Sequence, residues 1–305
     1  MDTRLHPAPD RVAFIGDVGG HLDVFIEALE QSGVDVEAGQ VPAGLTVIQV
    51  GDLVHKGPDD DGCVELADRL LRANRGRYVQ VLGNHDAHYL GGPDVSARRG
   101  VSPIGQTAQQ TLRRWVDCGL AQLAAAVDVN PYGPVLVTHA GLTAGLWEEL
   151  GCPTSPGEAA KRVNGLLADP EVAFRPGWLM TGRVDRAAGV TCVRTGTELA
   201  APWLENGSMP FSQIHGHEGV WLWSTDSWHD DVPEQVRAAS TVDRERRFCW
   251  TDVAEHRLLS VDWVLGIQAP TRPWAPLVLP GTLTPQPAGD TLRSGTDPAS
   301  RTTSA

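Results

Sequence analysis

Tyr78-Val79-Gln80-Val81-Leu82-Gly83-Asn84-His85-Asp86 begins as a short apolar, β-branched run, the pattern of a buried strand. It stops at a glycine and continues with three polar side chains that can hold a metal ion or move a proton. In open α/β sheets ligands bind at the carboxyl ends of the strands, which is where Asn84 and His85 would stand. Taken alone, the tripeptide reads equally well as a strand followed by an Asx-type turn. Its recurrence elsewhere in the chain decides the matter.

Working towards the N-terminus, Leu45 to Val50 is a second strand, ending at Gly51-Asp52-Leu53-Val54-His55-Lys56-Gly57. Pro58 and the acids Asp59 to Asp61 then open a helix through about Asn74, where they suit the helix dipole better than a metal. Val12 to Ile15 is a third strand, ending at Gly16-Asp17-Val18-Gly19-Gly20-His21 and followed by a helix that Gly33 stops. Working towards the C-terminus, Val135 to Val137 ends at Thr138-His139-Ala140-Gly141, and Phe211 to Ile214 ends at His215-Gly216-His217-Glu218-Gly219. The alanine-rich stretch 106–126 is predicted helical, as is 158–169. Residues 142–210 are otherwise irregular, with Trp178 either a substrate wall or a core anchor. Phe248 to Thr251 and Leu258 to Leu265 read as a closing β-hairpin.

Alternating strands and helices imply parallel pairing in the first half, and the second half reads as more antiparallel. The expected fold is α/β (α+β), a central mixed β-sandwich flanked by helices. Residues 1–10 are expected to be a flexible arm, 11–269 the catalytic domain, and 270–305 a disordered tail rich in Pro, Thr and Ser.

The chain has 305 residues and a formal net charge of -13, which argues against a general nucleic-acid binder. Its five cysteines (Cys63, Cys118, Cys152, Cys192, Cys249) form no C-x-x-C pair, consistent with reduced thiols. Neither a signal-peptide core nor an apolar run of membrane-spanning length is found. A cytoplasmic protein without a membrane partner is expected.

The strand ends collect Asp17, Asp52, Asn84, His139 and His217. Carboxylate, amide and imidazole donors suit manganese, iron or zinc, and a bridging carboxylate can hold two such ions. The series GDVGGH, GDLVHKG, GNHD, THAG and HGHE resembles the calcineurin-like metallophosphoesterase superfamily over roughly residues 11–265. It is most similar to the branch of serine/threonine phosphoprotein phosphatases and bacterial diadenosine tetraphosphate hydrolases. The resemblance implies two divalent ions, manganese first and iron or zinc as alternatives. Asp17 would bind the first, Asp52 would bridge both, and Asn84, His139 and His217 would complete the second. It also implies that His85 protonates the leaving oxygen.

Three departures from the family pattern stand out. Gly19 occupies the place of a usual histidine ligand, and His21, two residues on, is either its replacement or a surface histidine against the following helix. His55-Lys56 stands where phosphoprotein phosphatases carry Asp-Arg, an acid that orients the catalytic histidine and a guanidinium that grips phosphate. Lys56 is left to bind phosphate, with Arg98 and Arg99 as further candidates, and Asp86 to serve catalysis beside His85. Lastly, Glu218-Gly219 follows His217, so the superfamily's second histidine is absent, as in the phosphoprotein phosphatase branch. The leading expectation is a metal-dependent phosphoesterase acting on a phosphorylated protein or a small phosphate compound. The alternatives are a degenerate scaffold that binds a partner or nucleotide and, behind it, a nuclease.

Overall fold

A computed structural model describes residues 10–96, 101–262 and 275–285. The first third alternates β1 (Arg11–Ile15), α1 (Leu22–Ser32), β2 (Leu45–Gln49), α2 (Asp60–Ala73), β3 (Tyr78–Val81) and the one-turn α3 (Asn84–Ala87). The middle runs α4 (Gln106–Asp117), β4 (Ala121–Gln122), β5 (Ala124–Val129), β6 (Gly133–Thr138), α5 (Ala144–Glu149), α6 (Pro156–Gly165), α7 (Pro170–Ala173), α8 (Trp178–Thr181) and α9 (Ala201–Glu205). The last part comprises β7 (Ser212–His215), β8 (Trp221–Leu222), β9 (Ser227–Trp228), α10 (Glu234–Ala239), β10 (Ser240–Asp243), β11 (Phe248–Val253), β12 (His256–Ser260) and β13 (Leu277–Leu283).

Local chemistry accounts for the helix ends. The carboxylate of Asp59 caps α2 by accepting from the Gly62 N–H at 2.8 Å, with Asp60 and Asp61 in its first turn. The acid run is therefore structural, as the sequence suggests. α1 ends on Gly33 at φ 100°, whose N–H reaches back to the last carbonyls of the helix.

The strands hydrogen-bond in the order β10-β11-β12-β7-β6-β5-β13-β1-β2-β3-β4. β1 to β4 are parallel, β6, β7 and β12 are parallel, and antiparallel pairs join the rest. The period-two alternation of the strands sorts their side chains into layers. Val12, Phe14, Ile48, Val50, Val79 and Val81 from one half pack with Val127, Val129, Val135, Val137, Ile214 and Leu259 from the other. The two halves thus face each other across one apolar interior. The alternate residues, among them Ala13, Ile15 and Val47, and Ala124, Ala126 and Leu136, point outward to α1, α2 and α6. Leu258 and Val253 pack against the α9–α10 side with Trp203 and Val236. This is the expected mixed sandwich flanked by helices.

Two expectations fail. The stretch 106–126 is helical only through Asp117; Ala124–Val129 is a strand, and its Ala124 and Ala126 are alanines because α6 packs closely over them with Ala159, Ala160 and Val163. The supposed tail 270–305 contains β13, which pairs with β1 along Leu277–Pro280 and with β5 along Gly281–Leu283. The strand passes from one half of the sandwich to the other at Pro280-Gly281, a dipeptide suited to a corner. In the closing hairpin, β11 and β12 pair through Val253↔His256, and Trp263 to Leu265 lie outside the described residues.

Candidate metal centre

The parallel strands aim their carboxyl ends at one place. Asp17 follows β1, Asp52 follows β2, Asn84 follows β3, His139 follows β6 and His217 follows β7. Glycines between strand and ligand let these ends approach. A Cβ on Gly51 would lie 2.6 Å from His139 Nδ1, and one on Gly83 would overlap the Asp52 carboxylate. Asp52, His55, Lys56 and His217 all hold left-handed backbone, at φ 52°, 74°, 76° and 62°. Four non-glycine residues so strained in one locality are typical of a site built for function.

His139 sits at the centre, fully buried. Its Nδ1 lies 2.9 Å from the Val50 carbonyl and must donate to it, which leaves Nε2 bare. Around that nitrogen stand Asn84 Oδ1 at 3.2 Å, His217 Nδ1 at 3.2 Å and Asp52 Oδ1 at 3.4 Å. Asp17 Oδ1 lies 3.9 Å from His139 Nδ1 and accepts the His217 backbone N–H at 2.9 Å. Lone pairs thus converge with few hydrogens between them, and His217 Nε2 is buried without a hydrogen-bond partner among the described residues. Such a set repels itself unless a cation lies within it. Asp52, His139 and His217 offer ligand atoms within 4.8 Å of one another, so the donor set fits a divalent ion.

The electrostatics agree. Burial drives His139, His217 and His215 down, the last to about 4, so their imidazoles are neutral and able to ligate at neutral pH. Burial, then the charges of Asp262 and Asp52, push Asp17 well above the carboxylate range. Burial works against the charge on Asp52 too, but His139, His85 and Lys56 outweigh it and hold that carboxyl below its ordinary value. A cavity of about 250 Å³ opens over these atoms, lined by Asp52, Lys56, Asn84, His85, Val101, Leu179, His217 and Glu218. That volume is ample for a phosphate group.

His85 lines the cavity; its backbone N–H donates to Asp52 Oδ1 at 2.9 Å, and its Nε2 lies 3.9 Å from Asp52 Oδ2. Asp86 does not serve it. Its carboxylate instead accepts the backbone N–H groups of Gly83 (2.8 Å), Asp52 (3.0 Å) and Leu53 (3.1 Å), clamping the β2 and β3 ends together. Adjacent residues on one helical turn point apart, which is why neighbourhood in sequence misleads here. His21 is buried, not on the surface. It borders a cleft with Lys56, Gly57, Pro58 and Asp59, and the group of close ligand atoms found among the described residues is Asp52, His139 and His217. Arg98 and Arg99 lie outside the described residues.

The sequence reading missed three groups. Asp262 follows β12, whose neighbour Val261 donates to the His215 carbonyl at 2.8 Å, and its charge bears on Asp17. It repeats the strand-end design on one further parallel strand, and that pairing was the signal. Arg194 binds Glu218 and Asp231, each at 2.8 Å, and stacks over Trp178 at 5.2 Å. Trp178, at 42% exposure, is therefore no core anchor. The third group is Tyr89, hydrogen-bonded at 2.6 Å to His55 Nε2.

Residues 10–235 match the profile of the calcineurin-like phosphoesterases. A zinc-dependent endopolyphosphatase of Saccharomyces cerevisiae is 37% identical over 73 residues, which are 24% of this chain. The aligned part spans about a fifth, 20%, of that protein's length. Among solved structures, a cold-active protein-tyrosine phosphatase of a psychrophilic Shewanella species is 17% identical, with a TM-score of 0.46, over 69% of this chain and 66% of that one. A diadenosine tetraphosphatase structure, so described provisionally, is 19% identical, with a TM-score of 0.33, over 85% of each chain.

Proposed function

The chain belongs to the calcineurin-like phosphoesterase family, and from that premise we propose that it is a hydrolase that cleaves a phosphomonoester or phosphoanhydride with two divalent metal ions. Asp17, Asp52, Asn84, His139 and His217 would hold the ions, manganese first, with iron or zinc as alternatives. When bound, the ions supply charge to the phosphate oxygens and lower the pKa of water. The chain's own residues do the rest. Lys56, in the cavity wall, attracts phosphate as a point charge. His85 presents a ring N–H to the leaving oxygen. The cavity, with Lys56 and His85 in its wall, supports a phosphate as the reacting group, carried by a small compound or by a phosphorylated side chain.

One observation carries this reading: the bare Nε2 of His139 faces three further donor atoms within 3.4 Å. No described helix is long and apolar enough to cross a membrane. A cytoplasmic location is part of the proposal, and the five free cysteines support it. Hydrolysis of an aryl phosphate by metal-stripped protein, as manganese, zinc or iron is added back, tests the proposal. Saturable metal-dependent turnover, lost in Asp52→Asn and His139→Ala variants that remain folded, is expected. Absence of turnover with all three metals would overturn it in favour of a binding scaffold.

A further inference from the structure

Where an acid would orient the catalytic imidazole, this chain has a neutral chain of donors. His55 Nδ1 lies 2.7 Å from His85 Nδ1, and His55 Nε2 lies 2.6 Å from the Tyr89 hydroxyl. That hydroxyl accepts the Ile104 backbone N–H at 3.2 Å. His55 is fully buried and Tyr89 nearly so. We propose that Tyr89 and His55 are positioning residues that hold His85 as the tautomer with its proton on Nε2, and that the site consequently favours phosphoanhydrides over alkyl phosphomonoesters. The substrate preference rests on the reading of the cavity as a hydrolytic site; the tautomer does not.

The direction of the chain follows from counting hydrogens. One proton lies between the two facing Nδ1 atoms, on one ring or the other. If His85 donated it, His55 would carry its proton on Nε2 and donate to Tyr89. The hydroxyl would then accept twice, and its own hydrogen would find no other hydrogen-bond acceptor among the described residues. If His55 donates, the relay is paired throughout: Ile104 N–H to Tyr89, Tyr89 O–H to His55 Nε2, His55 Nδ1–H to His85 Nδ1. Buried hydroxyl hydrogens left unpaired are costly, so the second arrangement prevails. Burial also pushes His55 down to about 4, so at neutral pH it has one proton to give.

The chemistry differs from that of an Asp–His pair. There the acid accepts from Nδ1 and supports an imidazolium that releases a proton from Nε2. Here Nδ1 is occupied as an acceptor, so Nε2–H offers a hydrogen bond and keeps its proton. During hydrolysis water oxygen forms the new bond to phosphorus and its proton passes to solvent. The electrons of the broken P–O bond stay on the leaving oxygen, which accepts the hydrogen bond from His85. A leaving phosphate carries that charge well, whereas an alkoxide such as that of serine needs a transferred proton.

Two-bond ¹H–¹⁵N correlation spectra of the zinc-loaded chain, labelled at histidine nitrogen, read the tautomer independently of turnover. Wild type should show His85 with Nδ1 bare and Nε2 protonated. His55→Asn, whose amide can still donate, should keep that pattern, and His55→Asp should reverse it. Tyr89→Phe, which removes only the hydroxyl, should mix the two tautomers and lower kcat about tenfold at unchanged KM. In His55→Asp the ratio of kcat/KM for inorganic pyrophosphate to that for a phosphoserine peptide should fall at least tenfold. A protonated Nδ1 on wild-type His85, or a tautomer indifferent to both Tyr89→Phe and His55→Asp, would overturn the positioning role. The expected spectra with an unchanged substrate ratio would overturn the preference, and the expected spectra without turnover of any phosphate compound would overturn the hydrolytic reading instead.

Discussion

Replacing His55 by Asn should flatten the acid limb of the protein's stability curve. The imidazole is fully buried. Burial, with His88 and Lys56 adding to it and Asp52 opposing, brings it from an ordinary 6.5 to about 4 in the folded chain. The gap is worth at most about 3 kcal/mol at roughly 1.4 kcal/mol per pH unit, and solvent screening lowers it. Its sign follows from proton counting. Between pH 6.5 and 4 the unfolded chain binds a proton at this residue that the folded chain refuses, so stability falls as pH falls. The contribution is fully present above pH 6.5 and is lost as pH drops through 4. Asparagine has no such proton and tolerates the left-handed backbone at this position, φ 74°. Urea unfolding of both proteins between about pH 7.5 and 4, at one fixed metal concentration, isolates the term. The wild type should lose up to about 3 kcal/mol more than the variant across that range, whatever constant offset the lost hydrogen bonds introduce. Parallel curves would refute the argument, because they would mean that His55 titrates alike in both states.

Three further outcomes can be checked more briefly. Ending the chain before Ala275 removes β13 and exposes facing edges of β1 and β5; at roughly 1 kcal/mol per ladder hydrogen bond the loss is several kcal/mol, and an unchanged urea midpoint would contradict it. Asp262→Asn should weaken divalent-ion binding about tenfold by removing a carboxylate whose field reaches Asp17, measured calorimetrically; unaltered affinity would show that the charge does not reach the ion. Gly19→His should fail to build a better metal site. At φ 57° its Cβ would stand 2.9 Å from the His55 carbonyl oxygen, so a lowered melting temperature without added metal is expected, and a stable variant with tighter metal binding would overturn that geometry.

Much of the site was legible because its design is local. Strand, glycine and ligand follow one another within a few residues, and the glycine is there because the next strand's end presses against it, as Gly83 does on Asp52. What was not legible depends on contacts remote in sequence. Asp86 sits next to His85 yet serves the backbone of Asp52 and Leu53, since helical geometry sends neighbours in different directions. Ala124 and Ala126 carry helix propensity, but close packing by α6 selects them for size within a strand. β13 has the Pro, Gly and Thr of a linker because it turns a corner between the two halves.

The departures at Gly19 and His55 look independent in the sequence and are one structural event. The loop after β2 closes onto the loop after β1: Gly57 N–H donates to the Gly19 carbonyl at 2.6 Å, and Asp59 N–H to the Gly20 carbonyl at 2.9 Å. The left-handed turn at His55 and Lys56 brings the His55 carbonyl onto the α-carbon face of Gly19, leaving no room for a side chain there. The same turn is held by Asp60, whose carboxylate takes the His55 N–H at 2.6 Å, and it delivers the His55 ring to His85 and Tyr89. The turn that closes over Gly19 is therefore the same one that sets an imidazole beside His85, through two interlocked loops. The space at Gly19 is closed by the His55 backbone carbonyl and not by its ring, so His55→Asp can act on His85 without reopening room for a side chain at position 19.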